Sequence, residues 1–287
     1  MSHSRNNAAG QVRELMAATR ANWDARTPVH AVSEFYARDP EFWFAEFEWA
    51  DLGELRGRDV LHLQCHLGTE TIALARRGAR AVGLDFSAES VTQARRLAVE
   101  AELPIEYVRA NVYEALDALG GRQFDIVYTG KGALCYLPDL PAWADVVRGL
   151  LRPGGQLYVV EFHPLLGALG VTPSPDEATD LLLRNDYLGG TDAVRHDSAR
   201  TYTDGPPLAG NTVSYQWPHG MAEVVSAVLE AGLRLTGLRE TPLLPWKRWP
   251  RMVPAEGGWW RLPDGDPQIP LLYALSAHRD PAERPIR

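Results

Sequence analysis

Between residues 59 and 161 short apolar runs alternate with helix-forming segments, and that alternation constrains the fold more than any other feature. Residues 60–63 read as a buried strand. Residues 69–77 read as a helix stopped by Gly78. A second strand is expected at 81–85. Ser87 then suits an N-cap, with Val91, Ala94, Ala98 and Ala101 behind it at helical spacing. Short strands follow at 105–108 and 124–128. Pro141 fits a first helical turn, and Trp143, Val146, Val147, Leu150 and Leu151 make one apolar face. After the turn Arg152-Pro153-Gly154-Gly155, residues 157–162 are almost wholly apolar, as in a strand covered on both faces. Strands alternating with helices imply right-handed crossovers and a mostly parallel α/β sheet.

The junction of the first strand and helix is the most informative point. The strand runs into Gln64-Cys65-His66-Leu67-Gly68, and a helix starts at once. About twenty residues later the second strand ends in Asp85. This is the layout of a nucleotide-cofactor site: a helix N-terminus approaches the ligand and a carboxylate grips ribose hydroxyls. The G-x-G-x-x-G turn of a nicotinamide site is absent at residues 64–69, which counts against an oxidoreductase.

The alternation breaks after Pro164. Residues 164–218 are rich in Pro, Gly, Asp and Thr, with weak strand signals at 200–203 and 212–215. So long a stretch predicts a lid or substrate wall. A helix returns with Met221, Val224, Val225, Val228 and Leu229, closed by Gly232. Strands at 233–240 and 270–277, joined by a loop carrying Trp246, Trp249, Trp259 and Trp260, are expected to pair antiparallel at one sheet edge. At the other end a polar, disordered tail over Met1 to Gly10, a helix near 12–23 and an aromatic-rich 42–49 are expected. The expected organisation is an N-terminal helical segment over the cofactor site (1–50), a cofactor-binding core (51–163), an insertion (164–218) and a completion of the core (219–287).

A net charge of −8 repels a phosphate backbone, so nucleic acid is not an expected partner. The basic cluster Lys247-Arg248-Trp249-Pro250-Arg251 reads as a solvated loop. No apolar run suits a membrane span, and the N-terminus lacks signal-peptide design. Two cysteines, Cys65 and Cys135, imply a reducing, cytoplasmic setting. The many aromatics leave two uses open, pairing subunits in a homodimer or lining a cleft.

Together these residues resemble the class I S-adenosylmethionine-dependent methyltransferases, well over 59–161 and in outline over 219–278. That family's first motif is an acid followed by three glycines at alternate positions; here the four places hold His62, Gln64, His66 and Gly68. The loop is similar to a bacterial small-molecule branch with the variant H-L-Q-C-H-x-G, as are the Trp23-Asp24 to Tyr36 segment and Tyr128-Thr129-Gly130-Lys131-Gly132. The resemblance implies a Rossmann-like seven-stranded sheet with a reversed last strand and helices on both faces. It implies S-adenosyl-L-methionine as cofactor, S-adenosyl-L-homocysteine as product and a small-molecule acceptor methylated on O, N or C. Gln64, Cys65 and Gly68 would line the methionine part. Asp85 would take the ribose with Phe86 beside the adenine, which Asn111 and Val112 would also meet. Thr129 and Gly130 would face the sulfonium, and Tyr36 and His30 would close over the site.

Simpler roles stand beside these. Asp85 also suits a helix cap, and Asn111 a turn. His62 and His66, four apart around Cys65, straddle a strand end and a turn with no third ligand nearby, so no metal is expected. His163, at the carboxyl end of the fifth strand, is the first choice for a general base, with His219 second; each also suits a plain turn. Tyr136, Tyr202, Tyr215 and Trp217 are candidates to wall the substrate or to pack in the core. A methyltransferase fold in a cyclase or binding role is the remaining alternative.

Overall fold

In the computed structural model, which describes residues 2–170, 181–188 and 192–281, the chain opens with a long helix, α1 (Ser2–Ala31), and a short one, α2 (Glu46–Leu52). Then come β1 (Asp59–Leu63), α3 (Thr69–Arg76), β2 (Arg80–Asp85), α4 (Ala88–Glu100), β3 (Glu106–Arg109), α5 (Ala115–Ala118), β4 (Phe124–Thr129), α6 (Leu140–Leu150) and β5 (Leu151–Phe162). The chain finishes with α7 (Pro164–Ala168), β6 (Val194–Asp197), β7 (Val213–Gln216), α8 (Met221–Glu230), β8 (Leu233–Thr241), β9 (Val253–Pro254), β10 (Trp260–Arg261) and β11 (Leu272–Arg279).

Seven strands form one sheet in the order β3-β2-β1-β4-β5-β11-β8. β1 to β5 run parallel, and β11 enters antiparallel between β5 and β8. This is the expected mostly parallel sheet with a reversed last strand. The order reverses at β1, whose neighbours are β2 and β4, so the loops after these strands diverge and leave a crevice. Alternate residues of β1 serve opposite faces. Leu61 and Leu63 join Trp143, Val147 and Val228 in a core with α5, α6 and α8. Val60 joins Leu52, Ala73 and Leu74 from α2 and α3 on the other face. Ser87 caps α4 by accepting from the Ser90 amide, as its place predicts.

The outer parts depart from expectation. α1 has helical backbone from Ser2, where a polar tail is expected, and continues through Pro28 to Ala31. α1 is a strut: Ser87 donates to Asp24 (2.6 Å), and the Tyr215 amide donates to Thr19 Oγ1 (2.9 Å). Residues 200–203 form no strand; β7 instead pairs antiparallel with β6, whose charged Val-Arg-His-Asp sequence is exposed throughout and gives no apolar signal. Residues 171–180 and 189–191 of the insertion lie outside the described residues. The basic cluster is not a free loop: Trp249 is buried in a satellite core with Trp259, Leu244 and Leu271, and Arg248 donates to the carbonyls of Leu166 and Gly170. No helix among the described residues is long and apolar enough to cross a membrane.

Tyr107 of β3 sets a steric requirement beneath the first loop. A methyl group on Gly83 would lie 2.5 Å from its ring and 2.9 Å from Cys65 Sγ, and one on Gly68 would lie still closer to the Tyr107 hydroxyl. Overpacking of this kind costs about 1–3 kcal/mol. Gly83→Ala should therefore lower stability by that order in urea unfolding, and an unchanged midpoint would contradict the packing.

Candidate functional site

The loops after β1, β2, β3 and β4 enclose about 830 Å³ of atom-free space, part of it open to solvent. Gln64, Cys65, Asp85, Phe86, Asn111, Val112 and Gly130 all line this cavity, as do Trp23 of α1, Tyr36 just after it and Tyr202 of the insertion. Tyr136 lines it as well.

The first loop keeps the backbone of a glycine loop without the glycines. Gln64 has φ 54°, His66 φ 49° and Gly68 φ 72°, so every second residue is left-handed. For a non-glycine residue this region costs about 1–2 kcal/mol. Side chains offset that cost. Gln64 Nε2 donates to the Ala133 carbonyl (2.9 Å), which ties the first loop to the loop after β4. The His66 amide donates to Asp85 Oδ2 (2.9 Å), while Asp85 Oδ1 takes the Ser87 amide (2.9 Å). The cap of α4 is Ser87 and not Asp85; Asp85 instead fixes the turn before it and, lining the cavity, is also placed for a ligand. Burial pushes its carboxyl up to about 6.

His66 also lines the cavity, its ring packs against Trp23 and Tyr36, and its nitrogens enter a hydrogen-bond chain. His66 Nδ1 meets Ser90 Oγ (3.1 Å), Ser90 meets Thr27 Oγ1 (2.9 Å), and Thr27 donates to the Trp23 carbonyl (2.8 Å). On the other side His66 Nε2 meets His30 Nδ1 (2.9 Å), and His30 Nε2 meets Thr201 Oγ1 (2.5 Å). One hydrogen assignment satisfies every link. Because Thr27 donates to a carbonyl, it accepts from Ser90, Ser90 accepts from His66, His66 from His30, and His30 from Thr201. Both rings are then neutral. Burial, then the repulsion that a protonated His66 would exert, then Arg26 hold His30 down at about 2; burial and Arg26 hold His66 at about 3.

The second loop is fixed by another buried acid. Glu161, at the end of β5, accepts the amides of Gly132, Ala133 (2.8 Å) and Leu134 (2.9 Å). Lys131 in this loop donates to the Trp43 carbonyl (2.8 Å) and to Glu48 of α2. Glu70, in the first turn of α3, lines the cavity 4.0 Å from Lys131 Nζ, and burial pushes its carboxyl up to about 7. Sequence reasoning missed Glu70, Lys131 and Trp23 as cavity residues. Lys131 stood in a quoted strand end and Glu70 at a helix N-terminus, but neither place tells which way a side chain turns.

Several expected residues sit elsewhere. His163 does not line the cavity: its Nδ1 accepts from the Leu165 amide to cap α7, and its Nε2 lies 2.9 Å from Glu240 Oε1 on β8. His219 is also outside, donating Nε2 to the Leu137 carbonyl (2.7 Å). Thr129 is buried behind the wall, Trp217 is buried with its amide on the Cys135 carbonyl (2.7 Å), and His30 lies behind His66. Gly68 supplies the left-handed entry to α3 above Tyr107. The rings of His62 and His66 turn apart, His62 to Thr71 Oγ1 (2.8 Å) and His66 to His30.

A family described as "Methyltransferase domain" matches residues 61–157. A ubiquinone biosynthesis O-methyltransferase of Erwinia tasmaniensis is 30% identical over 152 residues, 52% of this chain and 58% of that protein. One from Klebsiella pneumoniae is 35% identical over 106 residues, 37% of this chain and 43% of that protein. The chain thus spans about half the length of the curated relatives it matches. Among solved structures, an S-adenosylmethionine-dependent methyltransferase from Clostridium acetobutylicum has TM-score 0.58 at 13% identity, over 85% of this chain and 92% of that one. The DhpI–SAH complex has TM-score 0.53 at 19% identity, over 93% and 98%. At these identities the structures establish the fold.

The histidine chain yields a pH prediction. An unfolded histidine takes up a proton from about pH 6.5 downward, whereas the folded pair resists until far lower, so the stability is whole above 6.5 and lost as pH falls toward the folded values of about 3 and 2. The raised carboxyls of Asp85 and Glu70 act in the opposite sense and are common to the proteins compared. His66→Asn, which tolerates left-handed backbone, should lose less Tm than the native chain between pH 6.5 and about 4. Equal slopes would contradict the neutral-pair assignment.

Proposed function

We propose that this chain, a member of the class I S-adenosylmethionine-dependent methyltransferases, moves the methyl group of S-adenosylmethionine to an oxygen of a small molecule and releases S-adenosylhomocysteine. The observation that carries the reading is the cavity at the carboxyl ends of β1, β2 and β4 in which Gln64, Asp85, Asn111 and Gly130 converge. The residues there suit the cofactor. Each Asp85 oxygen has taken one amide and retains a lone pair for a ribose hydroxyl. Gln64 Oε1 is buried and without a protein partner. Phe86, Asn111 and Val112 would meet the adenine, and the bare backbone of Gly130 leaves room for the methionine part.

The bound cofactor supplies a methyl group already activated by its sulfonium, so the protein's work is to orient the acceptor and exclude water. Residues of 1–50 and of the insertion are proposed as the cover. Tyr36 and Tyr202 bond hydroxyl to hydroxyl (2.7 Å), and Asp204 accepts the amides of Glu34 (3.0 Å) and Phe35 (3.2 Å). Trp23, Tyr36, Tyr136 and Tyr202 favour an aromatic acceptor, and the O-methyltransferase relatives favour oxygen. His163 and His219 are not retained as the base, because Glu240 and the Leu137 carbonyl occupy them outside the cavity. A cytoplasmic setting suits the two free cysteines.

The test is turnover with a panel of phenols and catechols. Native protein should form S-adenosylhomocysteine with at least one acceptor, and Asp85→Asn, which turns an NH2 toward one of the two amides, should weaken S-adenosylmethionine binding about tenfold or more and lower Tm. No thermal shift with either compound would overturn the reading. Binding with no turnover across the panel would favour a non-methylating role.

A further inference from the structure

The carboxylates around Lys131 outnumber the cation. Lys131 is 5% exposed, and its ammonium is already satisfied by the Trp43 carbonyl (2.8 Å) and by both oxygens of the fully buried Glu48 (2.9 and 3.1 Å). Glu70, at 4.0 Å, lies beyond hydrogen-bond reach of that ammonium. Lys131 and Glu48 cancel, and an ionised Glu70 is left as one uncompensated negative charge on the cavity wall. Unlike Glu48, Glu70 keeps 19% of its side chain exposed, toward that cavity. Its carboxyl stands over bare backbone: a methyl group on Gly130 would be 3.0 Å from Glu70 Oε1. This corner lies at the β4 side of the crevice, away from Asp85, Asn111 and Val112 beyond β2 and β3. A ligand with its ribose at Asp85 therefore presents its far end to Glu70.

We propose that Glu70 is a cofactor-binding residue that holds the α-ammonium group at the amino-acid end of S-adenosylmethionine. The inference rests on the cofactor reading above and adds the missing counter-charge to it. A ligand cation offsets the charge of Glu70, while an acceptor's neutral hydroxyl would leave that charge in place. A carboxyl held at about 7 gives this contact a pH dependence, because the ligand binds the ionised form. Facing Glu70 are Lys131, Glu48, Glu161, Tyr128 and His62, with Tyr36, Tyr202 and Cys65 nearby. Burial raises the tyrosines and the thiol, and holds His62 neutral at about 3.

The experiment compares two probes by calorimetry on the whole chain: S-adenosylhomocysteine, which carries the amino-acid end, and 5′-methylthioadenosine, which lacks it. Glu70→Gln should weaken S-adenosylhomocysteine about ten- to a hundredfold and leave methylthioadenosine unchanged, which also reports an intact adenosine site. In the native chain the affinity for S-adenosylhomocysteine should fall as pH drops from about 7.5 to 6. The variant, which keeps every neighbouring group, should lose that Glu70 step. Equal losses for both probes, no loss for either, or a fall in turnover with unchanged S-adenosylhomocysteine affinity would overturn the role of Glu70. Failure of the native chain to bind either probe would instead overturn the cofactor reading on which it rests.

Discussion

Asp85 takes the amide of His66 with one carboxylate oxygen and that of Ser87 with the other, and the geometry of the site follows from this pair of bonds. They join the loop after β1 to the start of α4, two segments that parallel strands leave side by side without a covalent connection. Charge-assisted bonds to buried amides are among the stronger ones. Here they hold the left-handed turn at His66, which in turn sets the entry to α3. Glu161 plays the same part for the loop after β4. Two buried acids at strand ends thus fix both lips of the crevice, and the Gln64 side chain ties the lips together.

The exchange of glycine for Gln64 and His66 has a physical meaning in this frame. Glycine would provide the left-handed backbone without strain and without side-chain contacts. Gln64 and His66 carry the strain and use their side chains to bind the first loop to its surroundings. His66 reaches through His30 to Thr201 of the insertion and through Ser90 to α1. The loop thereby connects the sheet, the N-terminal helix and the insertion.

The parallel core was legible because its signals are local. The apolar run at 60–63, the acid at 85, the cap at Ser87 and the face from Trp143 to Leu150 each state their structure within a few residues. The outer parts were not, because their order comes from distant partners. β6 is charged and exposed and exists only against β7. The pairing of His30 with His66 and of Lys131 with Glu48 spans separate elements and leaves no spacing to read. His163 illustrates the limit. Its place at a strand's carboxyl end is plain in the sequence, but its ring caps α7 and meets Glu240 of β8 outside the crevice.

The central claim is that the loop around Gln64, His66 and Gly68, locked by Asp85, is the floor of an S-adenosylmethionine site. Hydrogen–deuterium exchange with and without S-adenosylhomocysteine tests it most directly. Protection should appear in peptides spanning residues 64–70, 85–87 and 110–112 and the loop 130–134, while β8 stays unchanged. Protection absent from the first loop, or confined to segments outside the crevice, would contradict the account.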